Sequence, residues 1–503
     1  MRAGAGLVAT FVAQGVAGLS CCNHTISRDV IVVGGGAAGS HAAVWLRDHG
    51  QSVIVVEKAS QLVSYVLFRH HFFFRCLSSK QLRIVTDVLL KGGHTAFYYD
   101  SASNKSINVG VQAWMEYKDT FDFPKRMNVS TSGSMQFTTL DYRYVDFKTG
   151  SPVTGWTAPS SDAMYPALQR YLDVLEKYED IILPGFENFP DADAIPEDLV
   201  MPFRQFVEKY DIAAAVPQIW DSTAQGLGET MDVPTLFVMQ ASGVPMVRAL
   251  LGTAAAAVPA SGRLYELYES VAKFLGDDVL YSSTIVSTSQ RSDQGISVKV
   301  AGADGTLTCI DAKRLLIAFE PTPESLAPFR PDETETEVFD KIEFTTVYAG
   351  ILRHPSLQIS TAYSNRSPAP GSTNYTVFPT PSQVGRIDYI GGTKDLFQFT
   401  AVGTDEDTSE SMKAVIAESI NNLIEAGTVP ASNGTVSFVA FANHGKMHPR
   451  VTGEKLRAGF IQKQTALQGR RSTWYTGAAF SAGFSTVVWE YNNVILPKLI
   501  EGL

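Results

Sequence analysis

Cysteine is scarce in this chain of 503 residues, which contains four in all. Cys21 and Cys22 are adjacent, Cys76 and Cys309 stand alone, and no pair has the C-x-x-C spacing of a zinc site. Four cysteines are also too few to build a fold of this length from disulfides. With 45% apolar residues, the chain is expected to form two or three domains around an ordinary hydrophobic core.

Positive charge is also in short supply, because 41 lysines and arginines stand against 51 aspartates and glutamates. The net charge of −10 argues against nucleic acid or an anionic membrane as a partner. A charged fraction of 18% is nevertheless ordinary for a folded globular protein. We therefore expect a small molecule, and no nucleic acid, as the partner of this chain.

The N-terminus lacks an apolar run long enough for a stable membrane anchor. Residues 1–20 instead place Arg2 ahead of an apolar stretch that ends in small side chains, which is typical of a secretory signal peptide. This pattern predicts a secreted or secretory-pathway protein; the alternative is a disordered N-terminus. Six Asn-x-Ser/Thr sequons, more than chance would place, agree with export and are candidate glycan acceptors. They are Asn23, Asn104, Asn128, Asn365, Asn374 and Asn433.

What the chain does contain is a complete β-α-β dinucleotide-binding unit at residues 29–57. Gly34 permits the tight turn after the first strand, Gly36 lets the backbone approach a pyrophosphate, and Gly39 lets helix and strand pack closely. Ala37 and Ala38 open the helix, whose free N–H groups favour phosphate. Glu57 ends the second strand, where a carboxylate can bind a ribose hydroxyl and repel a 2′-phosphate. The unit by itself fits NAD or FAD.

Three later segments, in this order, extend the motif. They are Gly92-Gly93-His94, a strand pair at 278–288 and 310–318, and an aromatic and glycine-rich stretch at 474–489. With them the chain resembles flavin-containing amine oxidoreductases, and in particular the fungal β-cyclopiazonate dehydrogenase family. The resemblance implies that Gly92, Gly93 and His94 cross the flavin diphosphate and that Ile285 meets the adenine side. It also implies that Gly477 and Ala478 lie by the cofactor.

The resemblance implies a fold of α/β plus α+β class. A Rossmann-like FAD-binding domain of amine-oxidase type would be interleaved with a substrate domain of mixed sheet and helices. The cofactor would be FAD, held noncovalently because the C-terminal motif has no cysteine. The FAD domain would consist of residues 29–110, 242–330 and 440–503, and the substrate domain of residues 111–241 and 331–439. The active site would lie at their interface.

By the same resemblance, the protein is expected to dehydrogenate an amine- or alkaloid-like metabolite of fungal secondary metabolism, with ring closure as a further outcome. Hydride would pass to flavin N5, and O₂ or another acceptor would re-oxidise the flavin. The alternatives are an amine or amino-acid oxidase that releases H₂O₂, and a catalytically inactive flavin-binding protein. Each predicts a different readout, because only the oxidase makes peroxide with simple amines.

The general base is not identified by the sequence. Amine oxidases of this branch often carry a lysine near flavin N5, but the matching residues 344–350 contain none, and Lys341 precedes them. His448 is a candidate imidazole near the flavin, as is His444, although a structural role is the alternative for both. Trp474 and Tyr475 are candidates for a substrate-facing aromatic wall, and ordinary core packing is the alternative.

Residues 63–91 interrupt the family pattern. Without them Leu62 would join Gly92, and the chain would read E-K-A-S-Q-L-G-G-H-T. The segment begins with valine, whose codons start with GT, and ends with lysine, one of whose codons ends with AG, as the boundaries of a retained intron would require. Its aromatic residues also lack amphipathic periodicity. We interpret it as translated intron; the alternative is a genuine lid or membrane-touching loop.

Expression of the full chain and of a chain without residues 63–91 tests this interpretation. We expect the shortened chain to hold FAD near stoichiometry and the full chain to hold less, because the insertion separates two phosphate-contacting segments. Flavin absorbance per protein measures both. Equal flavin content, or a spliced transcript that retains the segment together with its peptide in the protein, contradicts the interpretation.

Overall fold

A computed structural model describes residues 22–62, 64–65, 89–90, 94–134, 138–367 and 378–503 of the chain. The predicted signal peptide, most of segment 63–91, and the predicted site residues Gly92, Gly93 and Asn374 lie outside the described residues. Within that described part, no helix combines the length and the apolar character needed to cross a membrane.

Strands and helices alternate along the described chain in the mixture expected of an α/β plus α+β protein. The strands are β1 His24–Val33, β2 Val53–Val56, β3 Ser64–Tyr65, β4 Leu89–Leu90, β5 Thr95–Asp100, β6 Lys105–Gly110, β7 Trp114–Met115, β8 Gly133–Ser134, β9 Asp141–Val145, β10 Ala256–Val258, β11 Val279–Leu280, β12 Ser283–Ser292, β13 Gly295–Gly302, β14 Leu307–Ile317, β15 Glu343–Arg353, β16 Thr361–Asn365, β17 Gln383–Tyr389, β18 Phe397–Gly403, β19 Ser437–Arg450 and β20 Thr473–Tyr475. The helices are α1 Ala37–Asp48, α2 Asp122–Arg126, α3 Ser161–Ile182, α4 Glu197–Val200, α5 Phe203–Lys209, α6 Val216–Ser222, α7 Thr235–Ala241, α8 Val244–Leu250, α9 Glu266–Leu275, α10 Pro323–Leu326, α11 Glu333–Phe339, α12 Ser409–Glu425, α13 Gly453–Arg457, α14 Phe460–Thr465 and α15 Ser485–Ile500.

The first large sheet contains the predicted β-α-β unit and has the order β11-β2-β1-β14-β13-β12, with β20 paired to β14. Strand β1 runs parallel to both β2 and β14, and β14 runs parallel to β20. The last four residues of β1 and all of β2 are buried, as expected of parallel strands covered on both faces. Because their carboxyl ends meet at one edge, the loops that follow β1, β2, β14 and β20 gather there.

The second large sheet has the order β4-β19-β15-β18-β17-β16-β9. Helix α12 covers it with buried Met412, Ile416, Ile420 and Leu423, which recur at helical spacing and pack against buried residues of the strands. Strand β19 pairs with β15 along its length, so it crosses the predicted domain limit at residue 440 while staying in this sheet. The full domain division stays a prediction.

Residues 196–210 form two short helices rather than one. The pattern at 196–210 predicts a single helix, but the structure forms α4 and α5 with a break at Met201 and Pro202. Proline disfavours helical geometry in the residue before it and cannot donate a backbone hydrogen bond. Pro202 instead caps the start of α5 in an extended conformation, with ψ of 140°.

A disulfide joins Cys22 to Cys309 across 287 residues of sequence. It links the residue just ahead of β1 to β14, alongside the parallel pairing of Thr25 with Cys309. The spacing of the cysteines gave no sign of this bridge. It fastens the first strand of the sheet to its long-range partner.

Replacing Cys22 by Ser is expected to lower the free energy of unfolding by about 2–4 kcal/mol, because the bridge restricts a long loop in the unfolded chain. Cys309→Ser should cost the same, and the double variant no more than either single variant. Denaturant unfolding measures all three. Dithiothreitol should bring the wild-type midpoint down to that of the variants and leave theirs unchanged; a wild type insensitive to reductant contradicts the assignment.

Candidate functional site

The glycine-rich turn between β1 and α1 has the geometry that the sequence predicts. Gly34 has φ of +100°, and a Cβ there would lie 2.9 Å from the carbonyl oxygen of Ala318. At Gly39 a Cβ would lie 1.9 Å from the carbonyl oxygen of Gly34, so helix and strand pack too closely for any other residue. A Cβ at Gly36 would meet no atom within 4 Å. That open space beside the start of α1 suits the approach of a pyrophosphate.

Glu57 is buried beside this turn and holds it in place. One carboxylate oxygen accepts from the backbone N–H of Gly35 at 2.6 Å, and the other accepts from that of Ala59 at 2.7 Å. Each carboxylate oxygen can accept a second hydrogen bond, so the group can still receive ribose hydroxyls. The sequence predicted the ribose contact but missed that Glu57 also fixes the loop.

Helix α15 joins the C-terminal motif to the start of α1. Trp489 Nε1 donates to the carbonyl oxygen of Ala37 at 3.2 Å, and Asn492 Nδ2 donates to that of Ala38 at 2.8 Å. Asn492 Oδ1 in turn accepts from the hydroxyl of Thr476 at 2.6 Å. Two segments that the sequence predicted to share a site are thus joined by one buried asparagine. No clear signal in the sequence marked this role, because α15 also contains the polar residues Glu490, Asn493 and Lys498.

The other two predicted segments reach the same region. Ser283 N donates to the carbonyl oxygen of Glu57 at 2.9 Å, which brings β12 and the buried Ile285 close to the end of β2. Thr95, which follows His94, and Ser485, which starts α15, both lie beside the hydroxyl of Tyr268. The described members of all four segments therefore gather around the carboxyl edge of the first sheet.

Glu320 is a residue of this edge that the sequence reasoning missed. It follows β14, and the backbone N–H of Ala478 faces its carboxyl group. Its Oε2 atom is buried without a hydrogen-bond partner among the described residues. Burial raises the pKa of the carboxyl to about 8. An acid directly after a buried apolar strand was the signal in the sequence. Nearby Gly477 has φ of +111°, and a Cβ there would meet no atom within 4 Å.

His444 and His448 are residues of β19 in the second sheet, and His94 lies against His444. The ring centroids of His94 and His444 are 6.1 Å apart. Burial lowers the pKa of His94 to about 4 and that of His448 to about 3, so both imidazoles are neutral at pH 7. His448 adopts φ of +54°. Its ring packs against Gly226, where an added Cβ would lie 2.0 Å from Nε2 of His448. The position of His448 is thus tightly determined by its neighbours.

The predicted aromatic wall was wrong for Tyr475. Its hydroxyl donates to Glu335 at 2.6 Å and receives a hydrogen bond from Arg291 at 3.0 Å, within a buried ion pair of those two residues. Burial raises the pKa of Tyr475. Trp474 alternates to the other face of β20 and packs by Gly469, where a Cβ would lie 3.2 Å from its ring. Neither aromatic lines the large cleft described next.

A cleft of about 1190 Å³ opens at the end of the second sheet, where β15 begins and β18 and β19 end. Thr345, in its wall, donates to the carbonyl oxygen of Gly226, the residue against which His448 packs. Lys341 does not line the cleft; it pairs with Glu337 at 3.2 Å. The charged residues of the cleft are mostly acidic: Glu229, Asp232, Glu343, Asp405, Glu406 and Glu454, against Arg450 and Arg457.

The glycosylation prediction was wrong at one position. Asn365 is buried, and its side-chain nitrogen donates to the carbonyl oxygen of Val384 at 2.6 Å, so the folded chain does not offer it to a glycan. The other described sequon asparagines are exposed, and their modification stays a prediction. These are Asn23, Asn104, Asn128 and Asn433.

Comparison with known proteins agrees with the geometry. Residues 29–67 match the FAD binding domain family. Over 484 residues the chain is 30% identical to the FAD-dependent oxidoreductase pigF of Monascus ruber, covering 96% of this chain and 94% of the relative. Over 477 residues it is 30% identical to a β-cyclopiazonate dehydrogenase of Aspergillus oryzae, covering 94% and 93%. The predicted FAD cofactor is thereby confirmed.

Solved structures show the same architecture. The chain superposes on a CLA-producing fatty acid isomerase from P. acnes with a TM-score of 0.66 at 16% identity, over 94% of this chain and 99% of the other. The TM-score is 0.57, at 14% identity and the same coverage, for cyclohexylamine oxidase from Brevibacterium oxydans. Identities this low bear on the fold alone. They confirm the predicted fold class, with a Rossmann-like domain of amine-oxidase type.

Two glycine substitutions separate binding from folding. Gly36→Ala should leave the melting temperature of the cofactor-free protein unchanged, since the added methyl meets open space. It should raise the dissociation constant for FAD about tenfold or more, because the methyl occupies the path of the pyrophosphate. Gly39→Ala should instead cost about 1–3 kcal/mol of stability through overpacking. Fluorescence titration and thermal denaturation measure both; equal effects of the two variants on both readouts would refute the assignment.

Proposed function

The chain belongs to the family of fungal FAD-dependent oxidoreductases that includes β-cyclopiazonate dehydrogenase, and we propose that it dehydrogenates a small amine- or alkaloid-like metabolite of secondary metabolism. FAD, when bound, supplies the hydride acceptor at flavin N5. Two relatives at 30% identity, one of them named a dehydrogenase, support the reaction type. Ring closure of the oxidised product is a further part of the proposal.

The charge of the large cleft carries the amine part of the proposal. Among the described residues, Glu229, Glu406 and Glu454 have no ion-pair partner, while Asp232 pairs with Arg204 at 2.5 Å. Unpaired carboxylates in a concave surface create a negative potential that concentrates cations. A metabolite with a protonated amine would therefore be drawn into this cleft, whereas an anionic substrate would be repelled.

Further inward, burial and the nearby charge of Arg450 both lower the pKa of His448, and both favour loss of the amine proton. The cleft wall at Thr345 and the Gly226 segment lead to His448, and its imidazole is uncharged at pH 7. A buried environment beside a positive charge disfavours an ammonium group, just as it lowers the pKa of His448. An amine must be unprotonated for its neighbouring C–H bond to release hydride. The amine proton is released to water in the open cleft. His448 is the candidate to orient the amine by accepting a hydrogen bond from it, since the stretch that would carry a lysine has none.

The secretory route is part of the proposal as well. The bridge between Cys22 and Cys309 supports it, because structural disulfides form and persist in oxidising compartments. Cys22 is the second residue after the predicted signal peptide of residues 1–20, so cleavage after Ser20 would leave the bridge intact. Exposed sequons at Asn104, Asn128 and Asn433 are compatible with the same route.

Anaerobic flavin reduction tests the proposal. We expect amines and alkaloids that are protonated in solution to enter the cleft, lose that proton and bleach the flavin. Their uncharged isosteres should react weakly. The double substitution of Glu229 and Glu406 by Gln should raise KM for the amines about two- to tenfold with little change in kcat, since exposed charge pairs contribute about 0.2–1 kcal/mol each. It should also weaken the salt dependence of KM. Glu208→Gln, an exposed carboxylate outside the cleft, is the matched control.

Two outcomes would end the amine proposal: faster reduction by neutral isosteres, or an unchanged KM in the double variant. Peroxide release under air distinguishes O₂ from another electron acceptor. Peroxide formed stoichiometrically with simple amines would favour the oxidase alternative over the dehydrogenase.

A further inference from the structure

Glu320 lies at the cofactor edge, where a carboxyl group with a buried, unpartnered oxygen does not stabilise the fold. Its backbone follows β14, two residues beyond Ala318, whose carbonyl oxygen lies against Gly34. Its carbonyl oxygen accepts from the N–H of Thr322 at 3.0 Å and from the hydroxyl of Ser325 at 3.0 Å. These bonds fix the main chain and therefore the root of the side chain. The carboxyl group is thus directed by the fold rather than left to solvent.

One hydrogen-bond donor faces the carboxyl group of Glu320, and one of its two oxygens has no partner among the described residues. The N–H of Ala478 faces it from the loop after β20, and Oε2 is buried without a partner among the described residues. A buried polar atom without a hydrogen bond costs about 1–3 kcal/mol, so proteins rarely retain one without a use. The loop that faces it contains Gly477, whose missing side chain leaves open space. A ligand group at this edge would give the spare oxygen its partner.

We propose that Glu320 is a positioning residue of the cofactor site, which as a neutral carboxylic acid donates a hydrogen bond to a phosphate oxygen of bound FAD beside the N–H of Ala478. An ionised carboxylate at this place would repel the pyrophosphate. A protonated one is a donor of the kind that phosphate accepts most strongly, because the acceptor is charged. The proton stays on Glu320 throughout, and no bond is broken.

The surroundings of Glu320 keep it protonated at neutral pH. Burial is the larger influence and raises the pKa to about 8, while the N–H of Ala478 opposes it. The titratable groups on the elements around this edge include Glu57 after β2, His41 on α1, Glu324 on α10, and the Arg291–Glu335 pair. None of these is among the causes of the shift. The proton on Glu320 thus depends on burial and on what binds beside it.

This assignment gives FAD binding a specific pH dependence. A phosphate near Glu320 disfavours its ionisation, so the pKa must be higher in the complex than the value of about 8 in the free protein. Binding then holds a proton that the free protein releases above pH 8. The dissociation constant for FAD should therefore rise about tenfold between pH 7 and pH 9. ADP, which has the pyrophosphate without the flavin ring, should follow the same trend.

Titration of the cofactor-free protein with FAD and with ADP from pH 6 to pH 9 tests the proposal, using flavin fluorescence and calorimetry. Glu320→Gln keeps a donor but cannot ionise, so its affinity at pH 7 should match wild type and stay level up to pH 9. Glu320→Ala should bind FAD about tenfold more weakly at pH 7. Glu324→Gln, an exposed carboxylate four residues along, should keep the wild-type pH dependence.

A Glu320→Gln variant that loses affinity above pH 8 as wild type does would overturn the proposal, as would a Glu320→Ala variant that binds FAD at wild-type strength. The Gln variant changes neither size nor burial, so the test does not depend on whether the Ala variant folds. The appearance of the pH dependence with FAD but not with ADP would place Glu320 against the flavin ring and overturn the phosphate assignment.

Discussion

The parallel register of the first sheet is the constraint on which the cofactor site depends. Val33 of β1 pairs with Val56 of β2 and with Ile317 of β14, and Ile317 pairs with Tyr475 of β20. All four strands therefore leave the sheet at one level, and the residues that follow them are adjacent by construction. Those residues are Gly34, Glu57, Ala318 and Thr476. A slip of one residue in any strand would displace its loop by about 3.3 Å along the strand direction and remove that loop from the site.

Burial affects ionisable side chains in two opposite ways in this protein. Around Arg291 and Glu335 the two charges are satisfied together, with the hydroxyl of Tyr475 and the side chain of Arg471 adding hydrogen bonds. Such a pair is tolerated because each charge has its partners, and removing one partner would leave the other stranded. Glu320, which has no such partner, becomes a neutral acid instead. At the cofactor edge, Glu57 is held by two backbone N–H donors, whereas the carboxyl group of Glu320 faces one donor and is neutral.

Sequence reasoning succeeded where the determining contacts are local. The turn from Gly34 to Gly39 and the strand 53–56 were predicted residue by residue, because glycine sterics and strand periodicity act over a few positions. It failed for Tyr475, whose partner Glu335 is 140 residues away and is identifiable only in the folded chain. The bridge from Cys22 to Cys309 and the bonds of Asn492 to α1 belong to the same class. Residue type alone could not separate an aromatic wall from an aromatic core.

The distance that a few residues can span also bears on the interpretation of residues 63–91 as translated intron. Leu62 packs against the glycine turn, since a Cβ on Gly35 would lie 2.4 Å from its side chain. His94 lies close enough to Lys58 for that charge to lower its pKa, so the two flanks of the segment approach each other. A chain that joined residue 62 to residue 92 would have about 10 Å of reach between Leu62 and His94. Because that span is short, it would hold the predicted phosphate-crossing segment, Gly92 to His94, beside the glycine-rich turn that follows β1. The interpretation of the segment as translated intron therefore requires the Cα atoms of Leu62 and His94 to lie within about 10 Å of each other.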